Sequence, residues 1–336
     1  MSTHIHRRSF VCAAILGKAL RILPAIALAS ASLAHAQAWP SKPVRIVVPV
    51  SPGGATDLLA RMVAQGLTQN LGQQFIVDGK PGAAGSVGSV EVARAPSDGY
   101  TLLMATSSTH AVAPAVMKNL RYNAVEDFTP IALVAESNNV FTMSPKVEAK
   151  DVKEFIALAK QKPGYYNYVS SGIGSFGHLV FELFAAQAGI KLTHVPYKGT
   201  AAAIPDMVAG SVHLAADSMA SAMPHVKEGR LRGLAVTGPS RSSLAPNIAT
   251  VSESGLPGFN VLSWFGLYAP RNLPPQLAQR INEEVNKVLR SPEIVARFAA
   301  LGLEPGRGTP EQFATMVAGE RQRWTRLAKD LKITVD

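Results

Sequence analysis

The chain has 336 residues, 47% of them hydrophobic, a formal net charge of +10 at pH 7 and a single cysteine. One cysteine excludes disulfide staples and thiolate metal sites, so stability has to come from a buried core. The positive charge is not gathered into Lys/Arg clusters with interleaved aromatics, which argues against nucleic acid and allows, at most, a field that favours a small anionic ligand.

At the start, Arg7 and Arg8 precede a weakly apolar run from Phe10 to Leu33 that ends in Ala34-His35-Ala36. That layout is a secretory signal with a small-residue cleavage site, expected over residues 1–36. Lys18 and Arg21 make the run a poor membrane span, and Arg7-Arg8-Ser9-Phe10-Val11 leaves the twin-arginine route open beside the general one. Cleavage there removes Cys12 and four positive charges but no acid, so 300 residues remain with a formal charge of +6. No later stretch reaches the roughly 18 uninterrupted apolar residues of a membrane helix, so the exported chain is expected to be soluble; it is also expected to be a monomer. Its length suits two lobes better than one small core.

Val44–Val48 is the first predicted strand, and Pro49, lacking an N–H, should end it. Ser51-Pro52-Gly53-Gly54-Ala55-Thr56-Asp57 then leads into a helix from Ala55, whose apolar positions Leu58, Leu59, Met62, Val63, Leu67 and Leu71 recur at helical spacing before Gly72. Gly53 and Gly54 have no Cβ, so the backbone can take left-handed angles and a ligand can approach it closely. The helix start offers unpaired N–H groups and the positive end of the macrodipole, which suit a carboxylate or phosphate. An ordinary turn capped by Thr56 or Asp57 has the same sequence signature.

Further strands are predicted at Gln74–Val77, Tyr100–Ala105, Tyr165–Val169, Leu192–Val195, Val212–Ala215, Leu231–Val236 and Val261–Tyr268, with helices beginning near Ser86, Asp151, Ser175, Thr200 and Met223. The alternation argues for an α/β protein with largely parallel sheets. Proline and glycine cluster at Pro239–Pro246 and Leu256-Pro257-Gly258, where the chain should leave one lobe and return to the other. The expected lobes are 37–138 with 262–336, and 139–261. Beyond Pro270 the chain turns helical, over Pro274–Leu289 and again from Thr309-Pro310-Glu311-Gln312, which has the form of a capping box with Pro at N1.

The segment Tyr165–His178 repeats the opening logic of strand, polar glycine turn and helix start. Gly172, Gly174 and Gly177 formally satisfy G-x-G-x-x-G, the dinucleotide fingerprint. The acid expected for a ribose about 20 residues on is replaced by His194-Val195-Pro196-Tyr197. A carboxylate-binding helix start explains the same glycines and adds Ser170, Ser171 and Ser175 as hydroxyl donors. A β-branched residue at Gly54 or Gly174 is expected to block the ligand and leave the fold intact.

Several ordered motifs carry a family resemblance. Trp39-Pro40, Pro52-Gly53-Gly54-x-x-Asp57, Pro81-Gly82-Ala83-Ala84-Gly85, Asp98-Gly99-Tyr100-Thr101, Gly174-Ser175-x-Gly177-His178, His194-Val195-Pro196-Tyr197-Lys198-Gly199 and Trp264-x-Gly266-x-x-Ala269-Pro270 span essentially all of the chain after the signal. They resemble the tripartite tricarboxylate transporter receptors, periplasmic solute-binding proteins also called Bordetella uptake gene proteins. The resemblance implies a two-lobed periplasmic binding fold of the second type, with two α/β domains, a ligand cleft between them and a membrane permease as partner. It also implies a carboxylate pinched by one loop from each lobe: Pro52, Gly53, Gly54, Ala55, Thr56 and Asp57 in the first, and Ser170, Ser171, Gly172, Ile173, Gly174, Ser175 and His178 in the second. Thr106, Ser107, Ser108 and Asp217 would contact the rest of the ligand. Asp78-Gly79-Lys80 and Ala216-Asp217-Ser218-Met219 depart from the family pattern, the second at a position bearing on ligand choice.

Residue chemistry tempers these roles. Asp57 beside an anion would repel it and fits a helix cap or first-turn acid better, while Asp217 fits a ligand acceptor and a cap equally. His178 reads as a neutral packed imidazole, and Trp264 and Tyr268, on one strand face, as core. Met219 and Trp264 are the expected apolar distal wall. No G-x-S-x-G, H-E-x-x-H or Walker lysine is present, and His110, His178, His194, His213 and His225 have no metal spacing, so no catalysis, cofactor or metal is expected. Ser175 with His178 lacks a third orienting group. The alternative is an exported, nucleotide-cofactor-dependent enzyme using the Gly172-Gly174-Gly177 turn.

Overall fold

Val44, Ile46, Val47 and Val48 have no exposed surface, because strand β1 (Val44–Val48) runs between two parallel neighbours. The computed structural model describes residues 39–50, 53–197 and 200–335. The proposed signal, Pro52 and the Lys198-Gly199 pair lie outside these residues. The chain divides into two compact units, Met1–Ser41 and Lys42–Asp336, and among the described residues every strand and helix belongs to the second.

After β1 come α1 (Ala55–Leu71), β2 (Phe75–Gly79), α2 (Ser86–Ala93), β3 (Thr101–Thr106), a π-helical turn at Ser108–Val112, α3 (Ala113–Val116) and the long strand β4 (Phe128–Met143). Then follow α4 (Val152–Gln161), β5 (Asn167–Ser170), α5 (Phe176–Ala188), β6 (Thr193–Pro196), α6 (Ile204–Ala209), β7 (Leu214–Ser218), α7 (Met219–Lys227) and β8 (Arg232–Val236). The chain closes with β9 (Leu262–Pro270), α8 (Pro275–Leu289), α9 (Pro292–Ala300), β10 (Leu303–Pro305) and α10 (Pro310–Asp330).

The strands join in the order β2-β1-β3-β9-β4-β7-β5-β6, with β8 and β10 also on β4. Parallel pairing is confined to the two ends, β1 with β2 and β3, and β5 with β6 and β7. Everything through β4 and β9 is antiparallel, which corrects the expectation of largely parallel sheets. The ends are built from strand–helix–strand crossovers, which force parallel neighbours. The middle is built from strands that pass between the two halves.

β4 carries the architecture and was missed in the sequence. Its first part, Phe128–Asn138, pairs with β9 through two register shifts that leave out Ile131 and Val134, and Asn139–Met143 pair with β7, with Val140–Met143 also on β8. The polar run Glu136-Ser137-Asn138-Asn139 interrupts its apolar pattern, and Pro130 sits at a register shift against β9, where a missing N–H is tolerated.

Helix ends follow local chemistry. Gly72 ends α1 with φ +68° and Thr309 opens α10 with a capping box to Gln312, both as the sequence implies. Helix α7 begins four residues before the predicted Met223: Ser218 is its N-cap, accepting from Ser221 N–H, and Pro224 lies inside the helix. In α1, Leu59, Met62, Val63 and Leu67 are buried, whereas Leu58 is 41% exposed. On the far half Phe141 stacks on Phe181 at 4.5 Å between ring centres, with Phe184 and Phe259 edge-on. On the near half Trp264 and Tyr268 pack against Phe313 and are 1% and 3% exposed, so both are core residues as expected.

Candidate functional site

Four strand-to-helix turns, each at the carboxyl end of its strand, open on one cavity of about 610 Å³: those after β1, β3, β5 and β7. Such crevices are where α/β sheets place ligands, because helix N-termini and side-chain hydroxyls meet there.

In the turn after β1, Gly53 has φ +87° and Gly54, with φ −80° and ψ 173°, is the N-cap of α1 without any side-chain cap. Only Gly53 uses the left-handed freedom read in both glycines. Asp57 is the first-turn acid of α1, one of the two roles its chemistry implied, and neither its cap nor part of the cavity lining. Its buried Oδ2 accepts from Gly53 N–H at 3.1 Å and from Arg61 Nε at 3.0 Å. The Arg61 bond, with Gly53 assisting, holds this carboxyl below its ordinary range. Of this turn Ala55 and Thr56 line the cavity, whereas Gly53 and Gly54, expected there, do not.

In the turn after β5, Gly172 and Gly174 have φ +124° and +77°. Ser175 is the N-cap of α5, its hydroxyl accepting from His178 N–H at 3.4 Å. The serine therefore faces the histidine's backbone, and His178 Nδ1 accepts from Gly174 N–H at 3.1 Å. Ser170 Oγ lies 2.7 Å from His194 Nε2 and accepts from Gly172 N–H at 3.1 Å. Ser170, Ser171, Ile173, Gly174 and Ser175 reach the cavity wall; Gly172 and His178 do not. Burial lowers the pKa of His178, so its imidazole is neutral, as its position implied. A Cβ on Gly174 would stand 2.6 Å from Val335 Cγ2 and 3.1 Å from Val116 Cγ2. Substitution at Gly174 thus disturbs packing as well as ligand approach, against the expectation of an intact fold.

In the turn after β3, Thr106, Ser107 and Ser108 line the cavity, and Thr106 and Thr109 close on each other through backbone and hydroxyl bonds. In the turn after β7, Asp217 lines the wall while three donors hold its carboxylate: Ser218 N–H at 2.8 Å, Ser221 Oγ at 2.9 Å and the Thr200 hydroxyl. The cap itself is Ser218, so Asp217 braces the turn rather than capping it.

Asp217 is the sole charged side chain lining the cavity among the described residues, and no Lys, Arg or His is on its wall. An anion in this space meets amides and hydroxyls. The apolar wall comes from Val116, Met117, Phe176, Trp264, Phe265 and Val335. Trp264 is fixed by its Nε1–H donating to Glu320 Oε2 at 2.8 Å. Met219, expected beside it, is fully buried against Val140, Met223 and Val236 instead, because its side chain follows the buried face of α7.

Thr200, Asn139, Ser263 and Val335 were missed. Asn139 and Ser263 sit within strands and carry no motif; their strand pairing brings them to the cavity. Among the described residues no group of three His, Cys, Asp or Glu side chains is placed to hold a metal ion. No helix there is long and apolar enough to cross a membrane.

Residues 59–333 match the family described as tripartite tricarboxylate transporter family receptor. The protein BugT of Bordetella pertussis is 34% identical over 309 residues, covering 91% of this chain and 95% of BugT. Among solved structures, R. palustris Rpa4515 with adipate is 35% identical with a TM-score of 0.77, covering 88% of this chain and 99% of that one. MatC (Rpa3494) from Rhodopseudomonas palustris with bound malate is 31% identical with a TM-score of 0.72, covering 86% and 99%. The two-lobed α/β architecture is shared with these proteins. The chain belongs to the tripartite tricarboxylate transporter receptor family, of the Bug type.

Proposed function

We propose that this protein is an exported, periplasmic receptor that holds a small organic carboxylate between two lobes and presents it to a membrane permease of the tripartite tricarboxylate type, doing no chemistry on it. The observation that supports this most is that the glycine turns at the starts of α1 and α5 open on one cavity whose polar wall is amides, hydroxyls and the Asp217 carboxylate, without a cationic side chain among the described residues. A carboxylate there bridges two helix N-termini, between the turn before α1, which reaches the cavity through Ala55 and Thr56, and the turn before α5, which reaches it through Ser170, Ser171, Gly174 and Ser175. Asp57 and His178 shape the turns from behind. Thr106, Ser107, Ser108 and Asp217 face the remainder of the ligand.

The lobes are 37–138 with 262–336, and 139–261. β4 changes partners from β9 to β7 at Asn138 and Asn139, which supports that division. Ligand that contacts both lobes favours the closed arrangement by its difference in affinity for closed and open states. Adipate and malate, bound by the two R. palustris relatives, are carboxylates and make the natural first probes.

A thermal-shift and calorimetric screen of mono-, di- and tricarboxylates on refolded, ligand-free protein tests the reading. A ligand specific to the folded state raises the midpoint. Failure of every carboxylate, with a shift and turnover on a nicotinamide cofactor, would replace the receptor by an enzyme.

A further inference from the structure

The two glycine turns are built on one device with different acceptors. In each, the amide of the residue before the N-cap donates to the side chain at the third helical position. Gly53 N–H bonds Asp57 Oδ2 and Gly174 N–H bonds His178 Nδ1, both at 3.1 Å. Each donor is a glycine at positive φ. Asp57 accepts as a carboxylate that its Arg61 partner keeps ionised. An imidazole accepts at Nδ1 only as the neutral tautomer with its hydrogen on Nε2.

A second ring completes the support. His194 lies against His178, 4.3 Å between centres, and its Nε2 meets Ser170 Oγ, which accepts from Gly172 N–H. His178 thus holds Gly174 directly, whereas His194 reaches Gly172 only through Ser170, whose hydroxyl also donates to the Gly172 carbonyl at 3.0 Å. The other titratable groups facing the pair are Tyr168 on β5, which stacks on His194 at 5.0 Å, and Glu182 on α5, whose Oε1 is 4.0 Å from His178 Nε2. Tyr168 donates its hydroxyl to that same carboxylate oxygen at 2.5 Å. Burial lowers the pKa of both rings, that of His194 to about 4.

Resting on the carboxylate-receptor reading, we propose that His178 and His194 are positioning residues, a neutral pair in tilted ring contact that sets the Ser170–Ser175 turn in its ligand-accepting shape. Protonation of the pair removes the acceptor for Gly174 and releases this turn, while the Gly53 turn, held by Asp57, stays formed. One half of the site is thus sensitive to acid and the other is not.

The test is amide exchange and imidazole nitrogen shifts by NMR on the ligand-free full chain. At about pH 7, His178→Leu should speed exchange of the Gly174 amide roughly fivefold, the equivalent of one net hydrogen bond, and leave Gly53 unchanged. His178→Asn, which keeps a neutral acceptor, should restore that protection and keep it at an acid pH where the wild type, its imidazole protonated, loses it. Gly174 exchange indifferent to His178→Leu, or a proton on His178 Nδ1 at neutral pH, overturns the proposal. Adipate and malate titrations separate it from the receptor reading. Weaker binding in Thr56→Val with no effect of His178→Leu sinks the positioning role alone; amide release with no carboxylate bound by the wild type sinks the receptor reading alone.

Discussion

Asn139 Nδ2 donates to Ser263 Oγ at 3.0 Å, tying together the two strands that run between the halves of the sheet at a point where both side chains line the cavity. The bond belongs to a compact polar knot. Thr237 Oγ1 donates to the Val261 carbonyl at 2.7 Å and accepts from Asn139 N–H at 3.2 Å, and Gly238 N–H donates to Asn138 Oδ1 at 2.8 Å. Asn139→Ala should lower stability by about 1 kcal/mol, the net worth of one buried hydrogen bond. Urea unfolding reads this as a lower midpoint at unchanged slope, and an unchanged midpoint removes Asn139 from the knot.

The two left-handed glycines of the second turn should respond differently to the same change. Alanine at Gly172 meets nothing within 4 Å and pays only for its backbone angle, about 1–2 kcal/mol. At Gly174 it also presses on Val335. Val335→Ala should therefore relieve Gly174→Ala by about 0.5 kcal/mol or more in a double-mutant cycle and leave Gly172→Ala unaffected. Strict additivity at both sites would show that Val335 does not pack on this turn in solution.

Acid should destabilise the protein well above the carboxylate range. His110 is fully buried, with no hydrogen-bond partner on Nε2, among Tyr122, Phe128 and Tyr268. Burial, with Arg321 adding to it, lowers its pKa to about 3. The unfolded chain takes its proton near 6.5, so between about 6.5 and 3 the unfolded state binds more protons and stability falls as pH drops. His194 contributes in the same direction down to about 4, and burial of His178 and His213 lowers their pKa values and adds to the same trend. His110→Phe keeps the ring and removes one titrating group, so its melting temperature should fall less than the wild type's between about pH 7 and 4.5. Parallel curves for the two proteins would count against this origin of the acid limb.

Trp264 should report occupancy of the cavity. It lies on the wall and its indole N–H is satisfied by Glu320, which Arg323 also bonds. Burial raises the pKa of Glu320. Glu320→Gln keeps an acceptor, whereas Glu320→Ala leaves a buried N–H unpaired and should cost about 1–3 kcal/mol. Ligand should change the intrinsic fluorescence of the wild type, and Trp264→Phe should abolish most of that change. A full response in the variant would place the ligand away from this wall.

What the amino-acid sequence determined by itself is the set of local devices. A missing Cβ at Gly53, Gly172 and Gly174, a serine one residue before α5, and Thr309-Pro310 with Gln312 at α10 each specify a turn or cap through bonds spanning four residues or fewer. Those devices, with the strand–helix alternation between them, made the α/β architecture and both glycine turns legible. β4 was not legible, because Pro130 and the run from Glu136 to Asn139 break its period, and its strand character comes from the partners it pairs with. The orientation of single side chains was also out of reach. Asp57 and His178 turn back onto their own glycine amides, and Met219 turns into the core, where packing decided each case. Only the tertiary structure brings Asn139 to Ser263, 124 residues apart, and Val335 to Gly174. Contacts of that range depend on which strands pair and in what register, a choice made by burial of the whole core and written in no single segment.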